Sequence, residues 1–142
     1  MSATQLTALT RTPGPQPVLR RLLVLDAAVT GVNALAYLVF SGPLGRFLGV
    51  GSGLLAGLGA FLAVYAAGVG LLASCPHPPA LGVRAVVEIN LVWAAVSCAA
   101  LPLWLEPSTA GAVWTVLQAL VVAGFALFQH TALRTSHQLI QE

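Results

Sequence analysis

Four long apolar runs dominate the chain and leave few folds open to it. They cover roughly residues 17–40, 53–73, 83–101 and 110–133, and no Asp, Glu, Lys or Arg occurs between Arg46 and Arg84. A helix needs about 20 mostly apolar residues to cross a bilayer, whereas barrel strands would alternate polar and apolar residues. We therefore predict an all-α integral membrane protein, folded as a four-helix antiparallel bundle.

The composition agrees with this class of protein. Hydrophobic residues make up 58% of the chain and charged residues only 7%, whereas about a quarter of the residues of a soluble domain are charged. The net charge of +2 is small and the arginines are dispersed, so a nucleic acid partner is not expected. The expected partners are membrane lipids, further copies of the chain in a homo-oligomer, or another membrane protein.

Arginine placement predicts the orientation. Five arginines fall on one side of the predicted membrane and Arg46 alone on the other; the five are Arg11, Arg20, Arg21, Arg84 and Arg134. Positively charged flanks stay in the cytoplasm. The chain is thus predicted to be a multi-pass protein of the cell membrane with both termini cytoplasmic. Residues 1–16 would form a disordered cytoplasmic tail and residues 135–142 a short cytoplasmic tail, on either side of a four-helix transmembrane domain at 17–134.

The two halves of the chain share a layout. Arg21 precedes Asp26 in the first half and Arg84 precedes Glu88 in the second. Each half then has an apolar run that stops at a Pro-Leu pair, followed by a helix with hardly any charge. The pattern is that of two duplicated helical hairpins, although any four-span chain with basic cytoplasmic flanks would share much of it.

Polar side chains inside the spans are the candidate functional residues. Asp26, Thr30 and Asn33 follow the i, i+4, i+7 spacing of one helix face. Because polar groups gain nothing by facing lipid, such faces should converge inside the bundle. The predicted ligand- or ion-binding cluster consists of Asp26, Asn33, Arg84, Glu88, Asn90, Gln118 and His130.

A plainer interpretation of these residues stays open. Asp26 could pair with Arg20 or Arg21, and Glu88 with Arg84, as interfacial ion pairs that fix the depth of each helix. The amide side chains would then serve only as hydrogen bonds between helices.

The predicted function is that of a non-enzymatic membrane protein that binds or transports a small solute, ion or lipid through this cluster. No catalytic set, cofactor motif or metal-ligand spacing occurs in the sequence, so no catalytic residue, cofactor or metal is expected. The alternative is a structural or accessory subunit of a larger membrane complex. It would pack through Gly and Ala faces such as the GxxxG pair Gly53 and Gly57.

Four spans in so short a chain resemble the layout of the small multidrug resistance transporters and of the DoxX-like membrane proteins. The multidrug family keeps an acid inside its first helix, and Asp26 is the nearest match, although its flanking residues differ. The sequence looks most similar to uncharacterised four-span membrane proteins of G+C-rich bacterial genomes. The resemblance implies the architecture, and no functional residue is carried over from it.

Overall fold

The computed structural model describes residues 15–103 and 106–141, and over these ranges the chain is helical with no strand. The five helices are α1 (Pro15–Val39), α2 (Ser41–Leu48), α3 (Ser52–Ser74), α4 (Ala80–Leu103) and α5 (Thr109–Gln141). The prediction of an all-α bundle is therefore confirmed. Residues 1–14 of the predicted tail, Arg11 among them, lie outside the described residues, as does residue 142 of the predicted C-terminal tail.

Helices α1, α3, α4 and α5 are each long and apolar enough to cross a membrane. The 23 residues of α3 extend for about 35 Å at 1.5 Å per residue, against a hydrocarbon core of about 30 Å. Their outer faces are apolar: Val32 and Leu35, for example, are about two-thirds exposed. The chain is thus a multi-pass integral membrane protein, and the exposed aliphatic side chains are those that face lipid.

Helices α1 and α3 form the most closely packed pair of the bundle. Ala27 lies opposite Gly70 and Gly31 opposite Ala66, so the two helices run antiparallel. Further along, a side chain at Gly59 would come within 3.0 Å of side-chain atoms of α1. Small residues thus let these two backbones approach closely, as expected for helices that pack in lipid.

Helices α4 and α5 form the second hairpin, and the two hairpins meet mainly along α1 and α5. In contrast, α3 and α4 make few close contacts. Two apolar cores fill the ends of the bundle. One contains Leu19, Leu23, Val69, Val83 and Leu133, and the other contains Ala34, Tyr37, Leu48, Leu55 and Leu62. Three buried polar residues, Asp26, Asn90 and Gln129, lie between these two cores.

The short helix α2 is not predicted from the sequence, because Ser41-Gly42-Pro43 follows the first apolar run and a Gly-Pro cluster typically ends a helix. Helix α1 does end at Val39, but the chain continues directly into α2. Pro43 lies in the first turn of α2, where a backbone N–H has no helical partner in any case. Gly49 ends α2 with a φ of 72°, and the Ser108 N–H then donates a hydrogen bond to the Leu48 carbonyl at 3.0 Å.

The bounds of the last helix also differ from the expected tail. Helix α5 has 33 residues and continues to Gln141, well past the end of its apolar span at Ser136. Residues 135–141, which the sequence predicts as a tail, are therefore helical, and residues 137–141 extend the helix beyond the membrane-spanning segment.

Candidate functional site

Asp26 is the centre of a buried polar network. Its side chain is 2% exposed. Its Oδ2 atom accepts hydrogen bonds from Asn90 Nδ2 at 2.9 Å and from Gln129 Nε2 at 2.8 Å. Its Oδ1 atom accepts a longer bond of 3.3 Å from the Thr30 hydroxyl. One carboxylate thereby ties α1 to α4 and α5, and each of its three donors is uncharged.

Tyr65 connects α3 to the same network. Its hydroxyl donates to Asn90 Oδ1 at 2.8 Å, which fixes the amide so that the Asn90 NH₂ group points at Asp26. Gln129 is fully buried, and its Oε1 atom has no hydrogen-bond partner among the described residues. All four long helices thus meet at one hydrogen-bonded network, in which the Gln129 Oε1 atom is an unused hydrogen-bond acceptor.

The arginines of α1 do not take part in this network. The Arg20 Nε–H donates to the Ala73 carbonyl at 3.1 Å, at the end of α3, and both Arg20 and Arg21 are exposed. The hydrogen bonds of Asp26 go to amides and a hydroxyl instead. The interpretation of Asp26 as an interfacial acid paired with its neighbouring arginines therefore does not describe this structure.

A cavity of about 180 Å³ adjoins Asp26 and is bounded by residues of all four long helices. We call it the central cavity. Its polar wall includes Asp26, Thr30 and Asn90, and its remaining wall is mainly aliphatic and aromatic. Phe61 lies stacked against Trp93, with ring centroids 5.6 Å apart and planes 11° apart. A buried carboxylate thus shares one small space with several aromatic rings.

A second polar cluster lies nearer the α2 end of the bundle. The Tyr37 hydroxyl accepts hydrogen bonds from Trp114 Nε1 at 2.7 Å and from Gln118 Nε2 at 2.9 Å. Tyr37 is 5% exposed. Trp114 and Gln118 also line the central cavity, and Asn33 lies beside them. This cluster joins α1 to α5 and forms the wall of the cavity on that side.

The predicted cluster of seven residues divides into two places. Asp26, Asn33, Asn90 and Gln118 line the central cavity. Arg84, Glu88 and His130 are exposed and line a different space, a groove of about 580 Å³ between α4 and α5. No residue lines both.

Two residues of the network were missed from the sequence. Gln129 lies three helical turns after Gln118, so the two share a face of α5. Tyr65 is the only polar side chain between residues 53 and 73, and a buried tyrosine hydroxyl usually finds a partner. Both signals were present in the sequence, but neither shows which helix the side chain faces.

Comparison of the chain with protein-family models, with curated proteins and with solved structures finds no match. The four apolar helices are consistent with the resemblance in architecture to four-span membrane proteins.

Proposed function

We propose that this membrane protein binds a small, partly apolar organic cation in the central cavity, with Asp26 as its counter-charge. The observation that carries the proposal is a buried carboxylate, supplied with uncharged donors only, in the wall of an aromatic cavity. The role is binding, or movement across the membrane, without chemical conversion of the solute.

The charge of Asp26 supports a cationic ligand. An acid at the centre of a membrane helix costs about 3 kcal/mol on insertion scales. Hydrogen bonds between helices in membrane proteins contribute about 0.6 kcal/mol each, so those from Asn90 and Gln129 offset about 1 kcal/mol. A cation bound in the cavity would offset much of the insertion cost that the hydrogen bonds leave, and it would do so only while it is bound.

The walls and the volume favour an organic cation over a metal ion. Aromatic faces attract quaternary and protonated amines, and Phe61, Trp93 and Trp114 all line the cavity. Calcium takes six to eight oxygen ligands, and the cavity offers a single carboxylate. Its volume of about 180 Å³ slightly exceeds the roughly 150 Å³ of an engineered cavity that binds benzene. A ligand of about one ring with an ammonium group fits both the size and the chemistry.

The direction of access is part of the same proposal. Phe61 and Leu117, both lining the cavity, are about half exposed on the apolar outside of the bundle, so a lipid-soluble cation would enter from the membrane. We propose, from the arginine distribution, that the protein lies in the cell membrane with both termini cytoplasmic. The Tyr37 cluster would then separate the cavity from the opposite side, and transport would require its hydrogen bonds to open.

The test is the binding of benzyltrimethylammonium to the full-length protein in nanodiscs, with empty nanodiscs as the blank. We expect saturable binding to the unmodified protein and to the Glu88→Gln variant, whose altered acid lies outside the cavity. Asp26→Asn should weaken binding at least roughly tenfold, because the loss of one favourable charge contact exceeds about 1.4 kcal/mol in a water-poor site. Equal binding by Asp26→Asn, or none by the unmodified protein, would refute the proposal.

A second candidate function, an accessory subunit of a membrane complex, is favoured by one face of α3. Gly53, Gly57 and Gly68 point away from the bundle, with no atom within 4 Å of the place of a side chain. Ala60 and Val64 lie on the same exposed face. Such a face allows close approach of another helix, and none of the five described helices covers it.

Native mass spectrometry of protein extracted gently from its own membrane separates the two candidates. For a subunit, we expect a stoichiometric complex that Gly57→Leu dissociates. Ala95→Leu, which adds nearly as much bulk at an exposed position of α4, should leave that complex intact. A lone chain or small homo-oligomer carrying a discrete small mass would contradict the subunit role and support the ligand-binding one.

A further inference from the structure

The groove between α4 and α5 is a site separate from the central cavity. On α4 it is lined by Arg84, Glu88 and Leu91, and on α5 by His130, Arg134 and Gln138. The spacings of i, i+4 and i+7 on α4, and of i, i+4 and i+8 on α5, place each set on a single helix face. The α4 face is charged near its start and apolar further along, whereas the α5 face is polar throughout, and together they line one groove of about 580 Å³.

Both arginines lie near one end of an apolar span, close to where the headgroup region of a bilayer would begin. Arg84 lies one turn after the start of α4 at Ala80, and Arg134 lies two residues before the end of the apolar span of α5 at Ser136. Both side chains are exposed, so their guanidinium groups are accessible from the membrane surface. A guanidinium group matches the geometry of phosphate oxygens with two parallel hydrogen bonds.

The charge of the groove is complementary to an anion. Two arginines and one glutamate leave a net charge of +1 when His130 is neutral (+2 − 1 = +1). Basic pockets between transmembrane helices near a membrane surface bind anionic lipid headgroups. A phosphodiester carries one negative charge, which equals the excess positive charge of the groove.

The apolar part of the groove favours a lipid over free phosphate. Val87 and Leu91 continue the groove along α4 towards the centre of the membrane, and Leu133 faces them from α5. Leu91 is about half exposed, so an acyl chain could pack against it without any change in the protein. Free phosphate would contact only the charged residues of the groove and leave its apolar residues without a partner.

We propose that this groove binds an anionic phospholipid, with its phosphate held between Arg84 and Arg134 and one acyl chain along Val87 and Leu91. The proposal is independent of the cation site, since the two sites share no residue. It assigns Arg84 and Arg134 to lipid recognition.

The experiment titrates phosphatidylglycerol, and in parallel phosphatidylcholine, into the full-length protein in detergent, with bound lipid counted by native mass spectrometry. We expect phosphatidylglycerol to bind more tightly. The double variant Arg84→Gln/Arg134→Gln should weaken its binding roughly 30-fold, since each basic residue near an anionic membrane contributes about a factor of five. The matched control is Arg46→Gln, which removes an exposed arginine at the other end of the bundle and should change the affinity less than about twofold.

A second variant covers the case in which the double change impairs folding. Arg84→Lys/Arg134→Lys keeps both charges but loses the paired hydrogen bonds, so we expect an intermediate loss with an unchanged circular dichroism spectrum. The proposal is overturned if Arg46→Gln weakens binding as much as the double change, or if both double variants bind like the unmodified protein. It is also overturned if inorganic phosphate at millimolar concentration displaces the lipid, because the groove would then be a site for a free anion.

Discussion

Asp26 and Glu88 hold corresponding places in the two hairpins, one turn or so after an arginine, but the bundle treats them differently. Asp26 is 2% exposed and accepts hydrogen bonds from three side chains. Glu88 is exposed and lies in the groove between α4 and α5. The depth of the two acids along their helices is similar, and what separates them is the direction in which each helix turns them.

Two similar sequence patterns can thus place an acid in a buried position in one hairpin and in an exposed position in the other. In the first hairpin the acid faces the neighbouring helices, which supply amides from α4 and α5. In the second hairpin that inward position belongs to Asn90, two residues after Glu88, and so roughly 200° around the helix. An acid and an amide thus form a buried pair across the two hairpins, instead of two equivalent acids.

The largest expected effect comes from removing a donor to Asp26. Gln129→Leu should lower the free energy of unfolding by about 1.5 kcal/mol, near the upper end of the range for hydrogen bonds between membrane helices, because the acceptor that loses its donor is buried and charged. It would be measured by SDS titration in mixed micelles, followed by circular dichroism. His130→Leu, at the next residue but in the exposed groove, should change stability by less than about 0.5 kcal/mol. Equal losses of stability for both variants would mean that the network around Asp26 stabilises the fold no more than the exposed groove does.

A smaller loss of stability is expected for Tyr65, which reaches Asp26 only through Asn90. Tyr65→Phe removes the hydroxyl that holds Asn90 Oδ1 at 2.8 Å, and should cost about 1 kcal/mol in the same assay. In an Asn90→Leu background the same change should cost less by at least about 0.5 kcal/mol, because contacting residues in one network are coupled. Full additivity would show that Tyr65 does not act through Asn90.

Much of the fold could be predicted from the sequence, because the lipid around a membrane protein restricts the structures that a span can adopt. Lipid requires each span to satisfy its own backbone, so long apolar runs between Pro and Gly clusters leave little alternative to helices. The short helix α2 escaped prediction because Ser41-Gly42-Pro43 indicates a stop. Proline in fact stops a helix only when it lies beyond the first turn.

The site could be predicted in part. The face formed by Asp26 and Asn33 is fixed by spacing within one helix, and both residues line the central cavity. The partner helices depend on how α4 and α5 are rotated, and apolar spans carry little sequence signal for rotation. Arg84, Glu88 and His130 were grouped with Asp26 by depth alone, and the rotation of α4 and α5 places them in the groove.

The smallest expected effect is the one that most directly compares the two acids. Glu88→Gln should change the free energy of unfolding by less than about 0.5 kcal/mol, since an exposed surface charge contributes little. Asp26→Asn is likewise a change from an acid to its amide, but it replaces one of the two accepting oxygens with an NH₂ group, which is a donor. That group would face either the Asn90 and Gln129 donors or the Thr30 hydroxyl. Asp26→Asn should therefore destabilise the protein by at least about 1 kcal/mol, in the same SDS titration. If Asp26→Asn proved as mild as Glu88→Gln, the hydrogen bonds to Asp26 would not stabilise the fold, and the contrast between the two acids would fail.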